Sequence, residues 1–217
     1  MIRLLASVSL LLLTGCSGLL HSDSPLEQVY FLRARLASAD SATGANAVSV
    51  HIARPIAAPG LDSSHIVLEE SDRRMSYYMA SRWPAVLPEM VEELAAQVLR
   101  ASGAWSDVQG SESSFPSEYL LQIRIRRFDA DYATSAAGRG VAPEVHVALD
   151  CTLGRRSGRE VIATFAAEGS AAAAANRVSD VVAAFEDAAN MALSSLATQA
   201  AGAAAQKVDK PVASITR

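Results

Sequence analysis

From Tyr119 to Arg126 apolar and polar residues alternate: Tyr119, Leu121, Ile123 and Ile125 on one side, Gln122, Arg124 and Arg126 on the other. Successive strand side chains point to opposite faces, so this run predicts a half-buried strand. Two more runs follow in the same style. Val145, Val147, Leu149, Cys151 and Leu153 alternate with His146, Ala148, Asp150 and Thr152; Val161, Ala163, Phe165 and Ala167 start the next. Gly154 and Gly158 flank Arg155-Arg156-Ser157, a turn, and residues 129–142, with Gly138-Arg139-Gly140, read as a longer one. Three such strands in succession predict an antiparallel meander. A chain built on it must cover one sheet face with other elements.

Those elements can be read upstream and downstream. Tyr30-Phe31-Leu32 suggests an edge strand, and Val48, Val50 and Ile52 alternate with Ser49 and His51. Pro55, Pro59 and Gly60 end that strand. Ile66-Val67-Leu68-Glu69 and Met75-Ser76-Tyr77-Tyr78, around a polar turn at Ser71-Asp72-Arg73, predict a hairpin. A helix follows, with Pro84 in its first turn. Leu87, Met90, Val91, Leu94 and Val98 form its apolar stripe and Gly103 its stop. Trp105 and Val108 then fold back onto the core. A second helix is expected from about Arg177 to Ala204, burying Val178, Val182, Phe185, Ala189, Ala192 and Leu196. The fold class is α/β: a single domain with a mixed, largely antiparallel sheet and two main helices packed on it.

The N-terminus fixes where such a domain works. Arg3 precedes an apolar run from Leu4 to Leu13, and Leu13-Thr14-Gly15-Cys16 closes it. A cationic start, a short apolar stretch and small residues make a secretory signal. The stretch is shorter than the roughly 20 residues a membrane-spanning helix needs. The last four residues look like a bacterial lipobox, which makes Cys16 the acylation site. The expected organisation is a signal over 1–15, a lipidated tether over 16–28, the domain over 29–205 and a disordered tail over 206–217. Ser17, where a retention aspartate would stand, fits export to the outer membrane.

Net charge is −4, and −5 once Arg3 leaves with the signal. This gives no basic excess for a nucleic-acid partner. With Cys16 acylated, Cys151 has no partner in the chain and reads as a buried, inert thiol. No His or Cys spacing suits a metal, so neither metal nor cofactor is expected. A hydrolase would need a nucleophile beside a base. The chain has no G-x-S-x-G, no H-E-x-x-H and no glycine-rich phosphate loop. His21 falls in the tether, His51 and His146 on polar strand faces and His65 at a strand start, so no catalytic residue is assigned. Arg124, Arg126 and Arg127 with Arg155, Arg156 and Arg159 could share one sheet face and read as a solvated polar surface. Trp83 reads as a packed residue at the helix start.

In their order these features resemble the ABC-type transport auxiliary lipoproteins, the PqiC-like family. The resemblance runs from the lipobox through Tyr30-Phe31-Leu32, Val48-Ser49-Val50 and Pro59-Gly60-Leu61-Asp62. It continues through Ile66-Val67-Leu68, Met75-Ser76-Tyr77-Tyr78 and Arg82-Trp83-Pro84-Ala85-Val86-Leu87 to the paired strands and the alanine-rich helix. It implies a non-enzymatic accessory beside an MCE-domain substrate-binding protein, a MlaE-type permease and its ATPase. Such systems move phospholipid or other apolar molecules between envelope membranes. It implies no catalytic residue and carries over Cys16 alone. The expected place is the cell envelope, lipid-anchored and facing the periplasm; a homo-oligomer is compatible with it. The alternatives are a periplasmic lipoprotein that binds lipid or a small ligand on its own, and an envelope hydrolase with a scattered site.

Overall fold

A computed structural model of the chain describes residues 26–35, 46–132 and 141–208. Cys16, His21, the Gly138-Arg139-Gly140 turn and the tail beyond 208 lie outside those residues. Five strands come first: β1 (Gln28–Val29), β2 (Asn46–Ile52), β3 (Ile56–Ala57), β4 (His65–Glu69) and β5 (Met75–Arg82). Then come α1 (Leu87–Ala101), β6 (Trp105–Gln109), β7 (Tyr119–Asp131), β8 (Glu144–Arg155), β9 (Glu160–Ala172) and α2 (Val178–Val208).

The long strand β7 is the spine of one mixed sheet. On one side it pairs antiparallel with β8, from Tyr119 opposite Arg155 to Asp131 opposite Glu144, and β9 adds antiparallel outside β8. On its other side three short pieces lie end to end, all parallel. These are the end of β2 against Tyr119–Leu121, β3 against Arg124–Ile125 and the end of β4 against Ala130–Asp131. Pro55 and Pro59 explain the fragmentation, because proline has no N–H to give to a ladder. Ala53 and Ala58 still donate to the carbonyls of Leu121 and Ile125, both at 2.9 Å. Strand β6 continues the sheet outside β2, and β5 then β1 continue it outside β4. The long ladders β7–β8 and β8–β9 are antiparallel, as the alternating runs led one to expect, and most of the short ones are parallel.

Both helices cover the same sheet face and touch each other. Between sheet and helices Trp83, Phe128 and Phe185 meet: Trp83 is edge-on to the other two, and those two stack at 5.2 Å. The stripe of α1 is buried as its spacing predicts. The helix starts later than Pro84, however. Pro88 sits in its first turn, and the Leu87 N–H is met by the Ser63 carbonyl at 2.9 Å. That loop contact replaces a side-chain cap at Val86. Gly103, at φ +63°, turns the chain out of the helix.

Other boundaries also move. The N-terminal strand is Gln28–Val29, parallel to β5, rather than Tyr30-Phe31-Leu32. The following segment crosses α2, where buried Asn190 accepts from the Arg35 N–H at 2.6 Å and donates to the Arg33 carbonyl at 3.0 Å. With Glu186, which accepts from the Arg33 N–H at 3.0 Å, this amide serves a backbone that has no sheet partner there. Strand β7 runs on to Asp131, past the expected turn start at Asp129. In β9, Val161 is exposed instead of inward, because an irregularity beside Gly154 sets Ile162 between the paired positions. The second helix continues to Val208, into the segment expected as tail.

Candidate docking face

The sheet face away from the helices carries most of the arginines singled out from the sequence, Arg155 standing instead on the core side opposite Tyr119, and β7 controls the placement of Arg124, Arg126 and Arg127. Between Ile125 and Arg127 the β7–β8 register shifts by one residue. This bulge lets Ile125 and Phe128 both point to the core and leaves Arg127, Asp129 and Asp131 on the open side. Arg126 meets Asp150 on β8 at 3.3 Å and also Glu168 on β9, a ladder of alternating charge over three strands. Half-exposed pairs of this kind contribute about 0–1 kcal/mol each, so the ladder sets charge pattern more than stability.

Arg127 is differently placed. It binds Asp129 at 2.6 Å and Asp131 at 3.3 Å, and both carboxylates are buried. The Asp129 hydrogen bond holds the guanidinium charged even more firmly than usual. His146 stands 3.8 Å from Asp131. Neither aspartate is among the residues expected from the sequence to shape this face. The signal was present in the doubled Arg126-Arg127, which shifts the phase of the alternation and carries it into Phe128-Asp129-Ala130-Asp131.

The remaining arginines group at the β8–β9 turn. Arg155 lies over the Tyr119 ring at 5.7 Å and donates to its hydroxyl at 3.2 Å. Arg156 and Arg159 line an open groove of about 340 Å³ with Leu120, Gln122, Thr152 and Val161. A second groove, about 520 Å³, lies over Arg126, Arg127, His146 and Glu168. The six arginines therefore do not act as one patch: Arg126, Arg127 and Arg155 are tied into carboxylate or phenol contacts, Arg156 and Arg159 face a groove with apolar walls, and Arg124 lines a separate hollow beside Ile56 and Asp150. Such a surface can hold an acidic or polar partner and gives apolar footholds at Ile56 and Val161.

Among the described residues the histidines and the inner thiol show no catalytic arrangement. His51 is buried rather than solvated, and its Nδ1 has no hydrogen-bond partner. Burial, then the charge of Arg156, lowers its pKa below the ordinary value. His51 stands on the side of β2 opposite Val50 and Ile52, as the alternation predicts, but is buried there between strands β6 and β7 and near Arg156. His65 packs against Tyr77, with ring centres 4.6 Å apart. Cys151 is fully buried, and burial pushes its thiol up to about 12. Among the described residues no group of three His, Cys, Asp or Glu side chains is disposed to hold a metal ion. No described helix is long and apolar enough to cross a membrane. A chain that carried lipid by itself would need space between sheet and helices. Trp83, Phe128 and Phe185 pack against one another there.

The family model described as ABC-type transport auxiliary lipoprotein component matches residues 30–201. No curated protein matches the chain in sequence. Among solved structures, a Xanthomonas campestris protein is similar at a TM-score of 0.75 and 22% identity, over 84% of this chain and 99% of that one. A second crystal structure, of an uncharacterized protein, is similar at a TM-score of 0.57 and 11% identity, over 85% and 100%. At such identities the likeness is one of fold.

Proposed function

The chain belongs to the ABC-type transport auxiliary lipoprotein family, and on that premise we propose that it is a non-enzymatic, lipid-anchored accessory of an envelope transport system. The partners in this reading are an MCE-domain substrate-binding protein, a MlaE-type permease and its ATPase. The cargo is phospholipid or another apolar molecule passing between membranes. Acyl chains on Cys16 hold one end at a membrane, the outer one by the Ser17 pattern, and the domain faces the periplasm. The open sheet face grips the partner. Tethering raises the effective concentration of that face at the membrane, so modest contacts suffice.

The observation that carries this reading is the family match over 30–201 behind a lipobox ending at Cys16. The charge ladder and the apolar positions on an uncovered sheet face support docking rather than catalysis. Labelling cells with radioactive palmitate tests the anchor. The wild type is expected to take up label and Cys16→Ala to lose it; equal labelling of both removes the anchor. Purification in mild detergent is expected to recover the MCE-domain protein. Arg156→Glu combined with Arg159→Glu is expected to weaken that recovery, and an unchanged yield argues against the open face as the grip.

A further inference from the structure

Among the described strands, two at borders of the sheet, β6 and β9, each receive a hydrogen bond from a helix side chain. At β6, Arg100 of α1 donates to the Val108 carbonyl at 3.2 Å. At β9, Gln199 of α2 donates to the Ala166 carbonyl at 2.9 Å. The outer side of β5 is met, among the described residues, only at its end, where Gln28 and Val29 pair with Ser81 and Arg82. An open strand edge attracts further partners, and natural sheets cover or distort it. In β5 one β4 residue, Ile66, faces the four residues 78–81, and Ala80 adopts a left-handed φ of +50°. This bulge lifts Met79 out to 85% exposure.

Met79 does not stand alone. Met75 and Tyr77 precede it on the open face, both more than 40% exposed. Leu26, two residues ahead of Gln28 where the described chain begins, is 91% exposed. Two residues back along each strand from the Gln28–Ser81 pair therefore stand Leu26 and Met79, the two most exposed large apolar side chains of the described structure. This is where the tether arrives. Ten peptide units separate Cys16 from Leu26, a span of at most about 36 Å.

We propose that the β5 stripe, Met75, Tyr77 and Met79 with Leu26 beside it, rests on the headgroup region of the membrane that holds the chain; this builds on the acylation of Cys16. The acyl chains bring this edge, before any other, to the bilayer surface. Methionine fits an irregular fluid boundary, and tyrosine suits an interface with one apolar and one wet side. The strand lies at the interface and not in the hydrocarbon, so water still serves its open N–H and C=O groups. Lipid and stripe together make a two-point attachment that orients the domain, leaving the groove lined by Arg156 and Arg159, at the opposite end of β7 from β4 and β5, clear of the bilayer.

The test uses the full lipidated chain in phosphatidylethanolamine–phosphatidylglycerol vesicles. With Cys16 acylated and Cys151 fully buried, an introduced thiol is the one a dye reaches. An environment-sensitive dye is attached at Met79→Cys and, in a separate preparation, at Phe115→Cys, an exposed position on the loop between β6 and β7. Both side chains are largely in solvent, so neither exchange disturbs the core. Vesicles carrying a nitroxide near the headgroups are expected to quench the dye at 79 and leave the dye at 115 bright. Flotation with the vesicles but no quenching at 79, or equal quenching at both sites, overturns the stripe and spares the anchor. Energy transfer between copies at 79 in place of lipid quenching gives the stripe to a second copy and also overturns it. Failure to float overturns the anchor and the stripe with it.

Discussion

Two glycines show how differently one added methyl group can act. A Cβ at Gly169 would stand 2.1 Å from the Ala188 carbonyl oxygen and 2.9 Å from the Met191 Cβ. The obstacle is helix backbone, which cannot step aside alone. Gly169→Ala must lift α2 from β9, and overpacking of this kind costs about 1–3 kcal/mol. Gly158 has φ +81° and nothing within 4 Å of a new Cβ. Gly158→Ala meets only backbone strain, about 1 kcal/mol. Urea melts are expected to rank Gly169→Ala as the more damaging; a reversed order would mean that α2 does not sit as close to β9. His51 adds a pH dependence. Its burial and Arg156 keep its folded pKa below the ordinary value, which is about 6.5. Below that pH the unfolded chain takes up a proton that the folded chain resists. The stability His51 contributes is therefore present above the ordinary value and is lost as pH falls through the folded one. His51→Leu is expected to flatten the fall in urea midpoint between pH 7 and pH 5. It also removes the partnerless Nδ1, a gain of about 1 kcal/mol or more. A wild-type slope retained in the variant would contradict this.

At the level of elements, the bulge in β7 is an insertion that the partner strand does not answer. Deleting Arg126 joins Ile125 to Arg127 and restores strict alternation, with Phe128 still inward. Deleting Gln122 has the opposite consequence: it sets the two ends of the strand out of phase, and one set of core residues turns to solvent. The first deletion is expected to fold with a loss of about 1–2 kcal/mol, and the second to exceed the 4–5 kcal/mol that marks exceptional damage. Circular dichroism with urea titration of both reads the difference; equal losses would argue against the bulge. The same region shows what was legible beforehand. The long antiparallel strands, the β4–β5 hairpin and both helix stripes could be read because each buries one face and so carries a clean period. The pieces β2 and β3 were harder. Paired on both edges by parallel partners or only two residues long, they leave little pattern, and the burial of His51 could not be read from its alternation with Val50 and Ile52. The start of α1 was misplaced because a distant loop carbonyl, from Ser63, does the work of a local cap. Of the candidate docking face, the arginines were visible, but their division into a charge ladder and a groove rim depends on cross-strand register that no single strand encodes.

For the whole molecule, two layers share one core, and among the described elements α2 is the main cover of the sheet half formed by β8 and β9. Phe185, Ala188, Ala192, Leu196, Ala200 and Ala204 are fully buried along that helix. Alanine is the means of close approach: small side chains let the helix lie near the strand at Gly169, and each buries little. The second half of α2 consequently stabilises by many small contacts. Leu196 is its one large fully buried side chain, and such a residue cut to alanine costs about 2–5 kcal/mol. Ending the chain after Val208 keeps every described contact and is expected to leave the melting temperature unchanged. Ending it after Ser194 removes Leu196, Ala197, Ala200 and Ala204 together with the Gln199 bond to the β9 edge. The summed loss reaches the scale of a domain's whole stability, about 5–15 kcal/mol. The shorter chain is therefore expected to lose its cooperative melt and to aggregate through the uncovered β9 edge. A cooperative, monomeric melt of the 194-ended chain would show that β8 and β9 hold to the rest of the sheet without their helix. The lipid anchor would then hold a domain whose stability lies in β1 to β7 and α1.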